Sequence, residues 1–159
     1  MINYKIISIC IFFFISACNG NNKYEHILLP SKYKLTLIKE TERGITDIYI
    51  YKSNVPINFS EIKDFPINYD TKKKEVIKWH LPTKKEIENI LFFLKEEQKG
   101  LSINKRIISS LLEKRCYIAF IHNKNNSSIR NEDYLPYFWM DLFIIIDNNK
   151  IICFRYGKF

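Results

Sequence analysis

The sequence predicts an α+β domain, an antiparallel sheet with one or two helices packed on one face and a β-hairpin at the C-terminus. Three observations lead there. β-forming runs begin and end the globular part, two helix-period stretches lie between them, and sequential strands are joined by short turns, which makes them antiparallel neighbours. A doubly wound parallel sheet needs strands and helices to alternate along the chain, and here they are segregated.

The first pair is Tyr33 to Ile38, where apolar and polar residues alternate, and Ile45 to Tyr51, with Glu42-Arg43-Gly44 as the turn. Val55-Pro56-Ile57-Asn58-Phe59 and its echo Phe65-Pro66-Ile67-Asn68-Tyr69 carry too much Pro and Asn for central strands and are expected as extended loop or edge. A strand over Glu75–Trp79 follows the Lys72-Lys73-Lys74 run. Thr83 and Glu86 then have capping-box spacing, and Ile87, Ile90, Leu91 and Leu94 form one apolar stripe, widened by Phe92 and Phe93, before Gly100 ends the helix. Ser102 is placed to cap a second helix with Ile103, Ile107, Ile108, Leu111 and Leu112 on one face. Cys116–Ile121 is a short strand, His122–Pro136 a long polar loop, and Phe138–Asp147 with Lys150–Tyr156 a hairpin around Asn148-Asn149. The Ile and Phe content of that hairpin points to the centre of the sheet.

A chain of 159 residues suits one domain, and 47% hydrophobic with 26% charged residues excludes both a disordered tail and a polytopic membrane protein. Lys and Arg number 25 against 17 acids, a formal charge of +8. Ile, Asn and Lys are abundant while Ala and Val are scarce, a skew that A+T-rich codons produce, so part of this charge reflects base composition.

Met1 to Lys5 form a short cationic stretch, Ile6–Ile15 an apolar run, and Ile15-Ser16-Ala17-Cys18 a small-residue close before a cysteine. Ten residues, nine of them apolar, fall short of the ~20 that span a bilayer as a helix. Those last four residues resemble the lipobox of bacterial lipoproteins, matching it at every position. The resemblance implies that the Cys18 thiol takes a diacylglycerol, that the peptide is cut between Ala17 and Cys18, and that the new amino group is acylated. Residues 1–17 would then be a removed signal, 18–23 a lipidated cysteine with a polar tether reaching about 17 Å, and 24–159 the globular domain. Asn19 replaces the Asp of inner-membrane retention, so the implied location is the periplasm-facing outer membrane of a cell with two membranes. The lipid bilayer is the first expected partner.

Cys116 and Cys153 are the thiols left in the exported domain, and in an oxidising compartment they can form a disulfide if their Cα atoms come within ~7 Å. His26, His80 and His122 stand singly, with no metal-ligand spacing, so no metal is expected. No G-x-S-x-G, P-loop or dinucleotide fingerprint is present, and four glycines leave little backbone to cradle a phosphate. No cofactor and no enzymatic activity are expected, nor is nucleic-acid binding, since recognition motifs are absent and an exported chain seldom meets nucleic acid. Glu96-Glu97 point apart on a helix; Glu132-Asp133 belong to a loop whose Arg130, Tyr134 and Tyr137 are residue types favoured in protein contacts.

The leading expectation is a membrane-anchored, non-enzymatic protein-binding module, specifically an immunity protein against a toxin delivered into the periplasm, with a basic surface suited to an acidic partner. The alternative is a structural or assembly lipoprotein that holds anionic lipid or envelope polymer through Lys72–Lys74, Lys84, Lys85, Lys105 and Arg106.

Overall fold

The computed structural model describes residues 25–43, 46–67, 70–96, 102–123 and 140–156. Six strands form one antiparallel sheet: β1 (Leu35–Arg43), β2 (Thr46–Ser53), β3 (Lys74–His80), β4 (Tyr117–Asn123), β5 (Met140–Ile146) and β6 (Lys150–Tyr156), ordered β1-β2-β6-β5-β4-β3. Two short helices, α1 (Glu25–Leu28) and α2 (Phe59–Ile62), and two longer ones, α3 (Lys84–Glu96) and α4 (Asn104–Leu112), complete the described elements. The α+β class and the C-terminal hairpin are as the sequence predicts, and that hairpin occupies the middle of the sheet.

Its central place follows from its composition. Leu142 to Ile146 and Ile151 to Phe154 are buried without interruption, so neither strand has a solvent face that would call for polar alternation. Alternate residues serve two separate cores. Phe120, Leu142, Ile144, Ile152 and Phe154 meet Ile90, Leu94, Ile107 and Leu111 of α3 and α4. Ala119, Ile121, Phe143, Ile145 and Cys153 meet Leu28, Leu29, Tyr33, Ile62 and Trp79 on the opposite face. The sheet is therefore covered on both sides, by helices on one and by short irregular segments on the other. Asp147 and Asn148, both left-handed at φ 53° and 57°, turn β5 into β6, a conformation Asp and Asn tolerate well.

The α3 capping box forms as expected. The Thr83 amide donates to Glu86 Oε2 at 2.8 Å, and the Glu86 amide donates to Thr83 Oγ1 at 3.2 Å. The α4 start differs from its expectation, since the cap position is Ile103 and Ser102 makes no capping bond. Buried Asn104 ties the start of α4 to α3 by donating through Nδ2 to the Leu94 carbonyl at 3.2 Å, a bond that caps none of the α4 amides. Phe92 and Leu112, expected on the buried stripes, are 56% and 63% exposed because Phe93 and Leu111 take the core positions beside them. Val55–Asn58 is a loop, as expected, that leads into α2 at Phe59; Asn58 is extended and its Oδ1 accepts from the Ser60 amide. Asn68 and Tyr69 of its echo lie outside the described residues. Among the described residues no helix is long and apolar enough to cross a membrane.

Candidate functional site

A surface recess lies where the β1–β2 hairpin approaches the start of α4. Pairing of Lys39 with Ile50 and of Thr41 with Ile48 sets these four side chains on the helix-covered face of the sheet. They bound an open groove of ≈ 230 Å³, closed on the other side by Ser102, Ile103 and Arg106. Its floor is aliphatic and its rim carries two cations and two hydroxyls. Arg106 is held in place by Asp147 of the β5–β6 turn, Nη2 to Oδ2 at 2.7 Å. Lys39 makes no ion pair among the described residues. Such a recess suits an anionic group carried on an apolar stem.

A second polar cluster sits on the opposite face, where Asp47 pairs with Arg155 and Arg155 with Asp141 across β2, β6 and β5. Arg155 Nε donates to Asp141 Oδ1 at 3.2 Å, and its guanidinium lies 5.1 Å from the Tyr49 ring centroid. Burial raises the Tyr49 phenol above its ordinary range, with Arg155 opposing. Tyr49 Oη also lies 3.4 Å from Asp47 Oδ2, and the cluster reads as a structural tie across β2, β6 and β5.

A third group joins edge strand β3 to α3. His80 Nδ1 faces the Lys78 carbonyl at 2.7 Å and Nε2 faces Glu86 Oε1 at 2.9 Å. Both oxygens are acceptors only, so both ring nitrogens are best served as N–H donors, the imidazolium form. The Glu86 bond raises the His80 pKa against the effect of burial. Burial would raise the Glu86 carboxyl, but the bonds from His80 and Thr83 hold it below its ordinary value.

The residues singled out in the sequence fare differently. Cys18 and the loop residues Arg130, Glu132, Asp133, Tyr134 and Tyr137 lie outside the described residues. The disulfide that the sequence allows between Cys116 and Cys153 is not formed; both are free, buried thiols. Cys116 lies in the core beneath the helices and Cys153 in the core on the other face, so the sheet itself separates them. Burial pushes the Cys116 thiol up to about 11, which keeps it protonated at neutral pH. A Cys116–His122 pair is also ruled out by geometry, because the two stand at opposite ends of β4, roughly 20 Å apart at ~3.3 Å per residue. Trp79 is 2% exposed and is a packing residue. No group of three His, Cys, Asp or Glu among the described residues is placed to hold a metal ion.

Lys72–Lys74 and Lys84–Lys85 flank opposite ends of β3, again roughly 20 Å apart, and Lys105 and Arg106 belong to α4, which starts beside β1 and β2. Of the groove residues only Arg106 was among the cations marked in the sequence. Lys39 and Thr41 look like ordinary polar positions of an alternating strand, and no local signal tells that they face α4. Comparison with known proteins finds no matching family model, no matching curated protein and no matching solved structure.

Proposed function

We propose that the chain is a membrane-anchored envelope lipoprotein whose domain binds another protein without chemistry of its own, in the manner of an immunity protein that neutralises a toxin delivered into the periplasm. The observation that carries this reading is the cation-rimmed groove with an aliphatic floor, joined to a chain whose first residues resemble a lipoprotein signal. An apolar centre ringed by charge is the ordinary anatomy of a protein contact.

Two experiments test the proposal. Cys18→Ala is expected to abolish fatty-acid labelling and leave unprocessed precursor; labelled protein in that variant would end the lipoprotein assignment. Affinity capture with the full chain, from envelope and secreted fractions of the producing strain, is expected to retain one protein at equal stoichiometry through high salt. Retention of lipid or polymer alone, lost as salt rises, would replace the protein-binding reading with the structural one.

A further inference from the structure

We infer that the side of the sheet covered by α1 and α2 rests on the lipid bilayer, so that α3, α4 and the groove beside them point away from the membrane. The inference rests on the lipoprotein reading above and adds which surface meets lipid and which is left for a protein partner.

The length of chain between the anchor and the domain decides the orientation. Cys18, the residue that would carry the lipid, precedes Glu25 at the start of α1 by only seven positions, which reach at most about 25 Å when fully extended. Leu28 and Leu29 are buried with Phe143, Ile145 and Cys153 on the sheet face opposite α3 and α4. Two bonds fix the chain there: Trp79 Nε1 donates to the Leu28 carbonyl at 2.8 Å, and the Ile67 amide donates to the Ile27 carbonyl at 2.9 Å. Packed layers lie about 10 Å apart and a helix is about 10 Å thick, so the outer surface of α3 and α4 is about 25 Å from α1 straight through the protein, and farther around it. The anchor therefore reaches the bilayer readily from the α1 side and falls short from the helical side.

The surface at this entry point suits lipid. Ile67, bonded to α1 through its backbone, is 50% exposed, and the exposed Lys63 at the end of α2 offers a cation to lipid phosphates. The acids of the same covering segment are engaged within the protein, Glu61 with Lys32 and the Tyr33 hydroxyl, and Asp64 with Lys78 at 3.7 Å. An exposed apolar side chain beside a cation is a modest membrane contact by itself, but two or three acyl chains on Cys18 already supply the affinity, and the surface has only to tolerate and complement the headgroups. On the opposite side Phe92 and Leu112, 56% and 63% exposed, and the groove of Lys39 and Arg106 are held away from the membrane, within reach of a soluble partner.

The test places the lipid-modified chain, purified from the envelope, in vesicles of phosphatidylethanolamine and phosphatidylglycerol. A fluorophore is attached at Ile67→Cys or at Leu112→Cys, both exposed positions, so both variants should fold, which circular dichroism checks. Cys116 and Cys153 are buried and Cys18 would be acylated, so the natural chain serves as the unlabelled blank. A nitroxide on the lipid headgroup is expected to quench the probe at position 67 at least about threefold more than the probe at 112, which lies two layers farther from the bilayer, and aqueous iodide is expected to show the reverse order. Equal nitroxide quenching at the two positions, or stronger quenching at 112, would overturn the inference. Shielding of position 67 from iodide without nitroxide quenching would mean that protein covers this side, and would overturn it too. Mass spectrometry separates the two levels: lipid on Cys18 with the wrong quenching order leaves the lipoprotein reading standing and removes only the orientation, whereas an unmodified Cys18 removes both.

Discussion

The two faces of the central sheet are buried to the same depth by different means. On one face α3 and α4 lay continuous apolar stripes over Phe120, Leu142, Ile144 and Phe154, and Phe93 meets Phe154 edge-on with ring centroids 5.5 Å apart. Among the described residues, the other face is covered by the four-residue helices α1 and α2 and the segments around them. That cover is tied by side chains that reach far along the chain. Trp79 Nε1 donates to the Leu28 carbonyl at 2.8 Å, and Tyr33 Oη donates to Glu61 while accepting from the Asn58 amide at 3.1 Å. Phe59 stacks on Tyr117 with centroids 4.1 Å apart. Regular helices satisfy their own backbone and need only bury a stripe, whereas irregular segments need aromatic side chains with polar tips to fill space and satisfy carbonyls at once.

If the irregular cover is as much part of the cooperative core as the helices, Trp79→Ala should cost about 3–5 kcal/mol, the same range as Phe154→Ala beneath the helices. Urea unfolding of both variants makes the comparison, and a loss below about 1 kcal/mol for Trp79→Ala would mean that the irregular side melts apart from the sheet. Tyr33→Phe keeps the ring and removes only the hydroxyl, so it isolates the polar ties. It should cost about 1–1.5 kcal/mol, and no loss would reduce those ties to ornament on a cover held by packing alone.

The His80–Glu86 pair tests the helix side in the same way. A raised His80 pKa means that its contribution is complete below the unfolded value of about 6.5 and is lost as pH rises through the higher folded value. A lowered Glu86 pKa means that its contribution is present above its unfolded value of about 4.5 and is lost as pH falls through the folded one. The stability gap between the natural chain and His80→Gln should therefore be widest at about pH 5 to 6.5 and narrow towards pH 9. Thermal melts across that range check it; a gap independent of pH would show that the ring acts by packing on Phe120, whose centroid is 6.3 Å away. The smallest expected effect is at the end of α4. Lys114 holds a left-handed conformation at φ 53° while the Arg115 amide returns to the Ser110 carbonyl at 2.8 Å, a helix ending that usually employs glycine. Lys114→Gly should stabilise by about 0.5 kcal/mol, measurable as a small rise in melting temperature.

The same contrast divides what could be read in the chain from what could not. Thr83 and Glu86 announce the start of α3 because the bonds they make are three residues apart, and Ile90 and Leu94 announce its buried stripe because helical geometry repeats locally. The run from Leu142 to Ile146 announces a doubly buried strand by having no polar alternation at all. Ser102 is of a residue type favoured at caps, yet the cap position of α4 falls one residue later, on Ile103, whose side chain has no acceptor for the first amides.

By itself the sequence determined the α+β class, the place of the C-terminal hairpin, the main helices and a segment resembling a lipoprotein signal, all of them properties of neighbouring residues. Only the tertiary structure decided that Cys116 and Cys153 lie on opposite sides of the sheet, that Trp79 binds Leu28, and that Lys39 and Arg106 share a groove. These depend on strand register and on which elements cover which face. Pairing a strand one residue out of step sends every side chain to the other face, and no local pattern in β1 records that choice.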